Sequence, residues 1–166
     1  MQNKLVLSPM QAKDSEEIHA LHERASASSL YYRFMRNYQP SYGDAECITG
    51  DGQGLVIRTD EDVMIAYAYY VVESGRTSEA EFAILIEDTH QGQGLGSYLI
   101  SQLCQYAQSQ GIERLKASIH GANNVMKHII HRLDYTVQSS WEYGEFIIAI
   151  DLSAKIQDIR VIREQG

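Results

Sequence analysis

Residues 81–100 read EFAILIEDTHQGQGLGSYLI. An apolar run ends at Glu87-Asp88, and three glycines at alternate positions, Gly92, Gly94 and Gly96, lead directly into an apolar helical pattern. A helix that begins at the end of a strand presents unpaired backbone N–H groups and the positive end of its dipole. Glycines at that junction let an anion approach the main chain, so a phosphate or diphosphate is the expected ligand. In the strand before it, Glu81, Ala83 and Leu85 alternate with Phe82, Ile84 and Ile86. A carboxylate in so apolar a strand should be partly desolvated, which raises its proton affinity toward that of a useful base. Glu79 and Glu87, nearer the strand's ends, read as solvated carboxylates.

Two phosphate chemistries do not fit the turn. A Walker loop needs Gly-Lys-Ser/Thr at the helix start, and here the residues are Gly94-Leu95-Gly96-Ser97, without a lysine. A dinucleotide fingerprint needs G-x-G-x-x-G after a first strand. Here the third glycine comes one place early, and several elements precede it. The histidine pairs His19-x-x-His22 and His128-x-x-His131 have helical i,i+3 spacing but no obvious cysteine or carboxylate to complete a set, so no metal is expected.

The surrounding pattern alternates strands and helices. Residues 4–7 read as a first strand, and Asp14 as the cap of a helix carrying Ile18, Ala20 and Leu21. A second, aromatic-rich helix spans 26–36, and the stretch from Pro40 to Gly54, with four glycines, reads as a loop. Strands 54–59 and 63–73 form a hairpin around Asp60-Glu61-Asp62, with Tyr67 and Tyr69 sharing a face. After a turn at Ser74-Gly75-Arg76-Thr77 come strand 79–87, a helix from Leu95 to Gln110 stopped by Gly111, and strand 114–119. The crossover from 79 to 119 makes its two strands parallel. A helix at 123–133 and strands 134–138 and 145–151 complete the core.

The segment Gln91-Gly92-Gln93-Gly94-Leu95-Gly96 resembles the Q/R-x-x-G-x-G/A signature of the GNAT superfamily of acetyl-CoA-dependent N-acyltransferases, and the order of elements over about residues 4–151 is similar to that fold. EAEFAILIEDTHQGQGLG, GIERLKASIHGANNVM and SSLYYRFM look most like the catalytic domain of bacterial protein-lysine acetyltransferases. The resemblance implies an α/β (α+β) fold: a mixed, mostly antiparallel sheet of about seven strands with a parallel splayed pair and helices on both faces. The GNAT domain would span 1–152, leaving 153–166 as a charged tail or short helix.

It also implies a site. The amides of Gly92, Gln93, Gly94, Leu95, Gly96 and Ser97, opened by Gln91, would hold the diphosphate of acetyl-CoA. The backbone of Ile84 and Ile86 would pair with the pantetheine arm, as an extended amide chain can with a free strand edge. Asn123 would contact the same arm. Glu81 stands where the relatives place their general base, which acts directly or through water, and the Ile86 N–H where they hold the oxyanion. Departures accompany the likeness. The position of the tyrosine that protonates the leaving thiolate in many relatives holds Ile130, flanked by His128 and His131, and a Gly-Phe pair is replaced by Asp134-Tyr135, so that Asp134 must take over a glycine's backbone role.

The acceptor implied is a protein lysine, with a small amine as the alternative and a non-catalytic acyl-CoA sensor as the competitor from another class. Tyr31, Tyr32, Phe34, Tyr38, Trp141 and Tyr143 are candidates to wall the acceptor site, with Asp44, Glu46 and Glu142 adding negative charge. The formal net charge of −8, without a basic patch, speaks against nucleic acid. No apolar run approaches the ~20 residues of a membrane helix. Cys47 and Cys104 lie far apart in no metal-like spacing and fit the reduced thiols of a cytoplasmic protein. Strand edges in this fold often pair between copies, which makes a homodimer an expectation.

Overall fold

The computed structural model describes residues 4–155. β1 (Leu5–Pro9) leads to α1 (Ser15–Arg24), α2 (Ala27–Phe34) and α3 (Tyr42–Asp51); β2 (Gln53–Thr59), β3 (Met64–Glu73) and β4 (Arg76–Ile86) follow. Then come α4 (Leu95–Ser109), β5 (Arg114–His120), α5 (Asn124–His131), β6 (Tyr135–Glu142) and β7 (Glu145–Lys155). The seven strands form one sheet in the order β1-β2-β3-β4-β5-β7-β6. All its pairings are antiparallel except β4 with β5. Residues 153–155 continue β7, and the remainder of the expected C-terminal tail lies outside the described residues.

Strand alternation sends side chains to two cores. On one face, α4 places Leu99, Ile100, Leu103, Cys104 and Ala107, at helical spacing, over Ile65, Tyr70, Phe82 and Leu115. On the other, Ile18 and Leu21 of α1, Leu30 of α2 and Ala45 and Ile48 of α3 cover Val56, Met64, Tyr67 and Leu85. Among the described residues no helix is long and apolar enough to cross a membrane.

The sequence expectations need three corrections here. The stretch read as a loop holds α3. It has two internal glycines, but burial of Ala45 and Ile48 against α1 outweighs their weak propensity. Asp14 does not cap its own helix. Its carboxylate accepts instead from the Gln11 backbone N–H and from Arg58 Nη2, each at 2.7 Å. Asp134 takes no left-handed conformation, so it inherits no glycine role, and β6 forms directly after it.

The Asp14 side chain is only 2% exposed. Removing Arg58 would strand a buried carboxylate, a change that costs about 3 kcal/mol in comparable pairs. Arg58→Met is therefore expected to lower the melting temperature by about 10 °C, and Arg58→Lys by less; melts of the two variants check this.

Candidate functional site

The parallel pairing of β4 and β5 is short. It runs from Glu79↔Arg114 to Glu81↔Lys116, while β4 continues to Ile86 beside β3 alone. The strands therefore splay beyond Glu81. The Ile86 carbonyl points away from β3, where Gln91 Nε2 reaches it at 2.9 Å, whereas the next N–H, of Glu87, donates to Ile65 on the β3 side. In an extended strand a residue's N–H lies on the same side as its carbonyl. The N–H groups of Ile86 and, two residues back, Ile84 thus face the open gap.

The turn closes one end of this gap. Gly92 and Gly94 have φ of +75° and +83°, a left-handed conformation that costs other residues free energy, and a Cβ on either would meet nothing within 4 Å. Gly94 caps α4 without any side-chain bond, so the first amides of the helix lie at an unobstructed surface. Gly96 also serves the packing of the helix. It is buried, and a Cβ there would come within 2.7 Å of Ile129 Cδ1, so its missing side chain lets α4 pack on α5.

A cleft of about 400 Å³ runs along this surface. Ile84, Ile86, Gln91, Gly92, Gly94, Leu95, Gly96, Ser97 and Asn123 all line it, and Gln93 lies outside the lining. Asn123 caps α5 through Oδ1, which accepts from the Met126 N–H at 3.1 Å. His128 and Arg132 stand on the same wall. A smaller cavity of about 80 Å³ occupies the splay itself, between Ala83 and Ser118, and shares Tyr32, Ile84, Asn123 and Met126 with the cleft.

The turn is tied to α2 by a knot of bonds that the sequence reading did not foresee. Asp88 accepts from the Ser26 N–H (2.8 Å), Ser26 Oγ (2.7 Å) and Ser29 Oγ (3.0 Å). Burial pushes the Asp88 carboxyl up, but these hydrogen bonds outweigh it and hold the group below its ordinary range. Gln91 Nε2 also donates to Ser29 Oγ at 3.1 Å. The only local signal was the pair Ser26 and Ser29 at the start of α2, where the N-cap Ser26 Oγ accepts from the Ser29 N–H.

Glu81 sits at the fork where the strands part, and it is exposed. The expected desolvation is absent because alternation puts its side chain on the face of Glu79 and not among Phe82 and Ile84. Nor are its neighbours the solvated carboxylates they were read as. Glu79, 16% exposed, binds Lys116 at 2.9 Å and Arg76 at 3.1 Å, and these bonds hold its carboxyl down at about 2. Glu87 pairs with Arg24 at 2.9 Å.

The aromatics divide. Tyr31 and Tyr32 pack on His120, and Phe34 stacks on Tyr38 at 3.6 Å. Tyr143 projects fully into solvent, in the turn between β6 and β7, and walls nothing. Of the three acidic candidates, Asp44 alone lines a cavity on the α2–α3 side, and its carboxylate accepts from Tyr38. Ile130 is buried in the core on α5 and presents nothing to the gap. Among the described residues no group of three or more His, Cys, Asp or Glu side chains converges on one point.

A polar cluster lies behind the splay. His22 Nε2 bonds Tyr67 Oη at 2.8 Å, and Arg33 Nε donates to the same phenol at 3.0 Å. Burial, then the Arg33 and His19 charges, push the His22 pKa from 6.5 down to about 4. The native state therefore resists a proton that the unfolded chain accepts. Stability is complete above pH ~6.5 and is expected to fall by up to about 3 kcal/mol as pH drops from ~6.5 to ~4. Urea melts across that window test this, with His22→Gln expected to flatten the dependence.

The pattern of the acetyltransferase (GNAT) family matches residues 17–135. The crystal structure of the GNAT domain of S. lividans PAT superposes with a TM-score of 0.78 at 29% identity, covering 90% of this chain and 96% of that one. Acetyltransferase Pat of Mycolicibacterium smegmatis is 36% identical over 70 residues, which are 42% of this chain but only 21% of that protein. The chain thus matches about a fifth of that relative's length. A phosphinothricin acetyltransferase from Sinorhizobium meliloti, solved in complex with AcCoA, shares the fold with a TM-score of 0.68 at 22% identity, over 90% of this chain and 88% of that one.

Proposed function

As the chain belongs to the acetyltransferase (GNAT) family, we propose that it moves an acetyl group from acetyl-CoA to a primary amine within a ternary complex. The observation that carries this reading is the splay of β4 from β5, bounded at one end by the side-chain-free turn. Those features fit the carrier: the turn's amides from Gly92 to Ser97, open at Gly92 and Gly94, suit a diphosphate, and the strand edge at Ile84 and Ile86 suits an amide-bearing arm. The Arg132 guanidinium on the cleft wall adds positive charge for its phosphates.

Acetyl-CoA supplies an activated acyl carbon. The chain's own residues do the rest. The amine is protonated in solution, with a pKa near ~10.4 for a lysine. Glu81, at the fork, takes that proton directly or through water, which its exposure admits. The amine nitrogen gains a bond to the acyl carbon as the C–S bond breaks and the thiolate departs, and the proton that the new amide nitrogen sheds passes to that thiolate, directly or through solvent. The Ile86 N–H, aimed into the gap, donates to the carbonyl oxygen as negative charge grows on it.

The resemblance of SSLYYRFM and EAEFAILIEDTHQGQGLG to protein-lysine acetyltransferases supports a protein lysine as acceptor. The charge that Arg33 brings to the walls of the small cavity in the splay and of the cavity on the α2–α3 side favours a second reading, a small polar amine. The edges at β1 and β6 are where a second copy would pair. Thiol release in the presence of acetyl-CoA and a panel of lysine peptides and small amines tests the reading. Amine-dependent release is expected; binding of acetyl-CoA without release to any amine would leave only an acyl-CoA-binding module.

A further inference from the structure

Arg33 stands at the junction of two cavities. It lines the small cavity in the splay and also a second one of about 320 Å³ on the α2–α3 side, walled by Tyr69, Val71, Asp44 and Arg36. The first is where the acyl carbon would sit, and the second is the way in for an acceptor. Arg33 is mostly shielded from solvent. Its Nε and Nη2 donate to the phenols of Tyr67 and Tyr69, and its carbon lies 4.3 Å from the Phe34 ring centre. These partners are all uncharged. Burial pushes the Tyr67 phenol up to about 12, so it supplies no negative charge at neutral pH. No ion pair among the described residues includes Arg33, and Nη1 has no hydrogen-bond partner among them.

A shielded charge is ordinarily paired, because an uncompensated one costs several kcal/mol of desolvation. Two phenols fix this guanidinium's orientation without neutralising it, and leave one edge of the fork turned to the cavities. That edge suits a carboxylate, which arginine binds with charge-assisted hydrogen bonds. Arg36 brings a second cation to the same wall, whereas the α3 side carries the carboxylates of Asp44, which accepts from Tyr38, and Asp51, which repel another anion. A carboxylate would therefore settle on the α2 side.

We propose that Arg33 anchors a carboxylate of the acceptor, and that the amine acetylated here belongs to a small amino acid. The inference rests on the acyl-transfer reading and sharpens its acceptor. With the carboxylate held at Arg33, the amine extends into the splay toward the Ile84 and Ile86 edge. The guanidinium's charge also lowers the proton affinity of an amine placed beside it, which eases its passage to the neutral, nucleophilic form.

The test is acetyl-CoA-dependent thiol release with α- and ω-amino acids of increasing chain length, the n-alkylamines of equal length, and lysine peptides with and without acidic neighbours. One of the amino acids is expected to exceed its alkylamine about 100-fold or more in kcat/KM. Arg33→Met should raise its KM by about 30-fold, as loss of a charge-assisted pair implies, raise the alkylamine's KM far less, and keep acetyl-CoA binding. A direct readout is the melting temperature of the CoA-loaded protein with the N-acetylated amino acid added: a rise in the wild type, none in the variant. Should Arg33→Met fail to fold, Tyr69→Phe, which frees the fork's second nitrogen, is expected to raise KM for the amino acid selectively. Equal use of amino acids and alkylamines, preference for any lysine peptide, or equal loss on all amines in the variants overturns the proposal while leaving acyl transfer standing. Failure of the wild type to bind acetyl-CoA at all overturns both.

Discussion

Gly94→Val is expected to weaken acetyl-CoA binding by ~100-fold or more while leaving a folded protein. Gly94 has a φ of +83° at the mouth of α4, in open space. A valine there meets no wall, so nothing in the core must shift. Its backbone strain, of about 1–2 kcal/mol or somewhat more for a branched side chain, should lower the melting temperature by a few degrees. The larger effect falls on the ligand. A branched side chain would occupy the space above the amides and exclude the diphosphate from two or three charge-assisted hydrogen bonds of about 1.5–3 kcal/mol each. Gly111→Val separates the two effects. Gly111 has a φ of +87° beyond the far end of α4 and also has open space around it. It should show the same small loss of stability with unchanged CoA affinity. Titration calorimetry reads the difference directly, and a Gly94→Val protein that binds within about threefold of wild type would show that the turn does not hold the diphosphate.

Glu81→Gln is the second large effect. A positioned base contributes typically 10²–10⁴-fold, so kcat is expected to fall by about that factor at neutral pH. CoA affinity should not change, because Glu81 lies at the fork and the cleft's lining does not include it. The pH dependence carries the more specific signature. Without the carboxylate, the rate follows the fraction of amine already neutral, which rises about tenfold per pH unit below ~10.4. The gap between wild type and variant should therefore narrow as pH rises. A constant ratio across pH, or a rate within threefold of wild type, would remove Glu81 from the base's role. Glu79→Gln is the contrasting variant: it breaks the ion cluster with Lys116 and Arg76 and should alter stability before chemistry.

The parts of the fold that sequence pattern reveals are those where one periodicity runs unbroken. The α4 stripe of Leu99, Ile100, Leu103, Cys104 and Ala107 and the alternation along β4 are both of this kind. Helix α3 was hidden because it buries only Ala45 and Ile48 and carries two glycines; contact with α1, not propensity, makes it helical. The glycine turn was legible for a local reason, the positive φ of Gly92 and Gly94, whereas the approach of Ile129 to Gly96 is a tertiary contact that the sequence did not show.

The candidate base shows a different limit. Alternation told which residues share a face with Glu81 but not that Lys116, on a strand distant in sequence, would engage Glu79 and leave Glu81 exposed. The Arg33 cluster was the least legible feature. It joins His22 of α1, Arg33 of α2 and Tyr67 and Tyr69 of β3, three elements whose proximity only the folded sheet establishes. Likewise, Ser26 and Ser29 fell within the stretch read only as an aromatic-rich helix, and their bonds to Asp88 and Gln91 across 59 to 62 positions appear only in three dimensions.

Calorimetric titration of the wild-type protein with CoA, repeated with Gly94→Val, tests the central claim most directly. A saturable one-to-one heat with the wild type, lost in Gly94→Val and retained in Gly111→Val, is the predicted result. Absence of any heat at millimolar CoA with folded wild-type protein, or binding that Gly94→Val leaves intact, would contradict it.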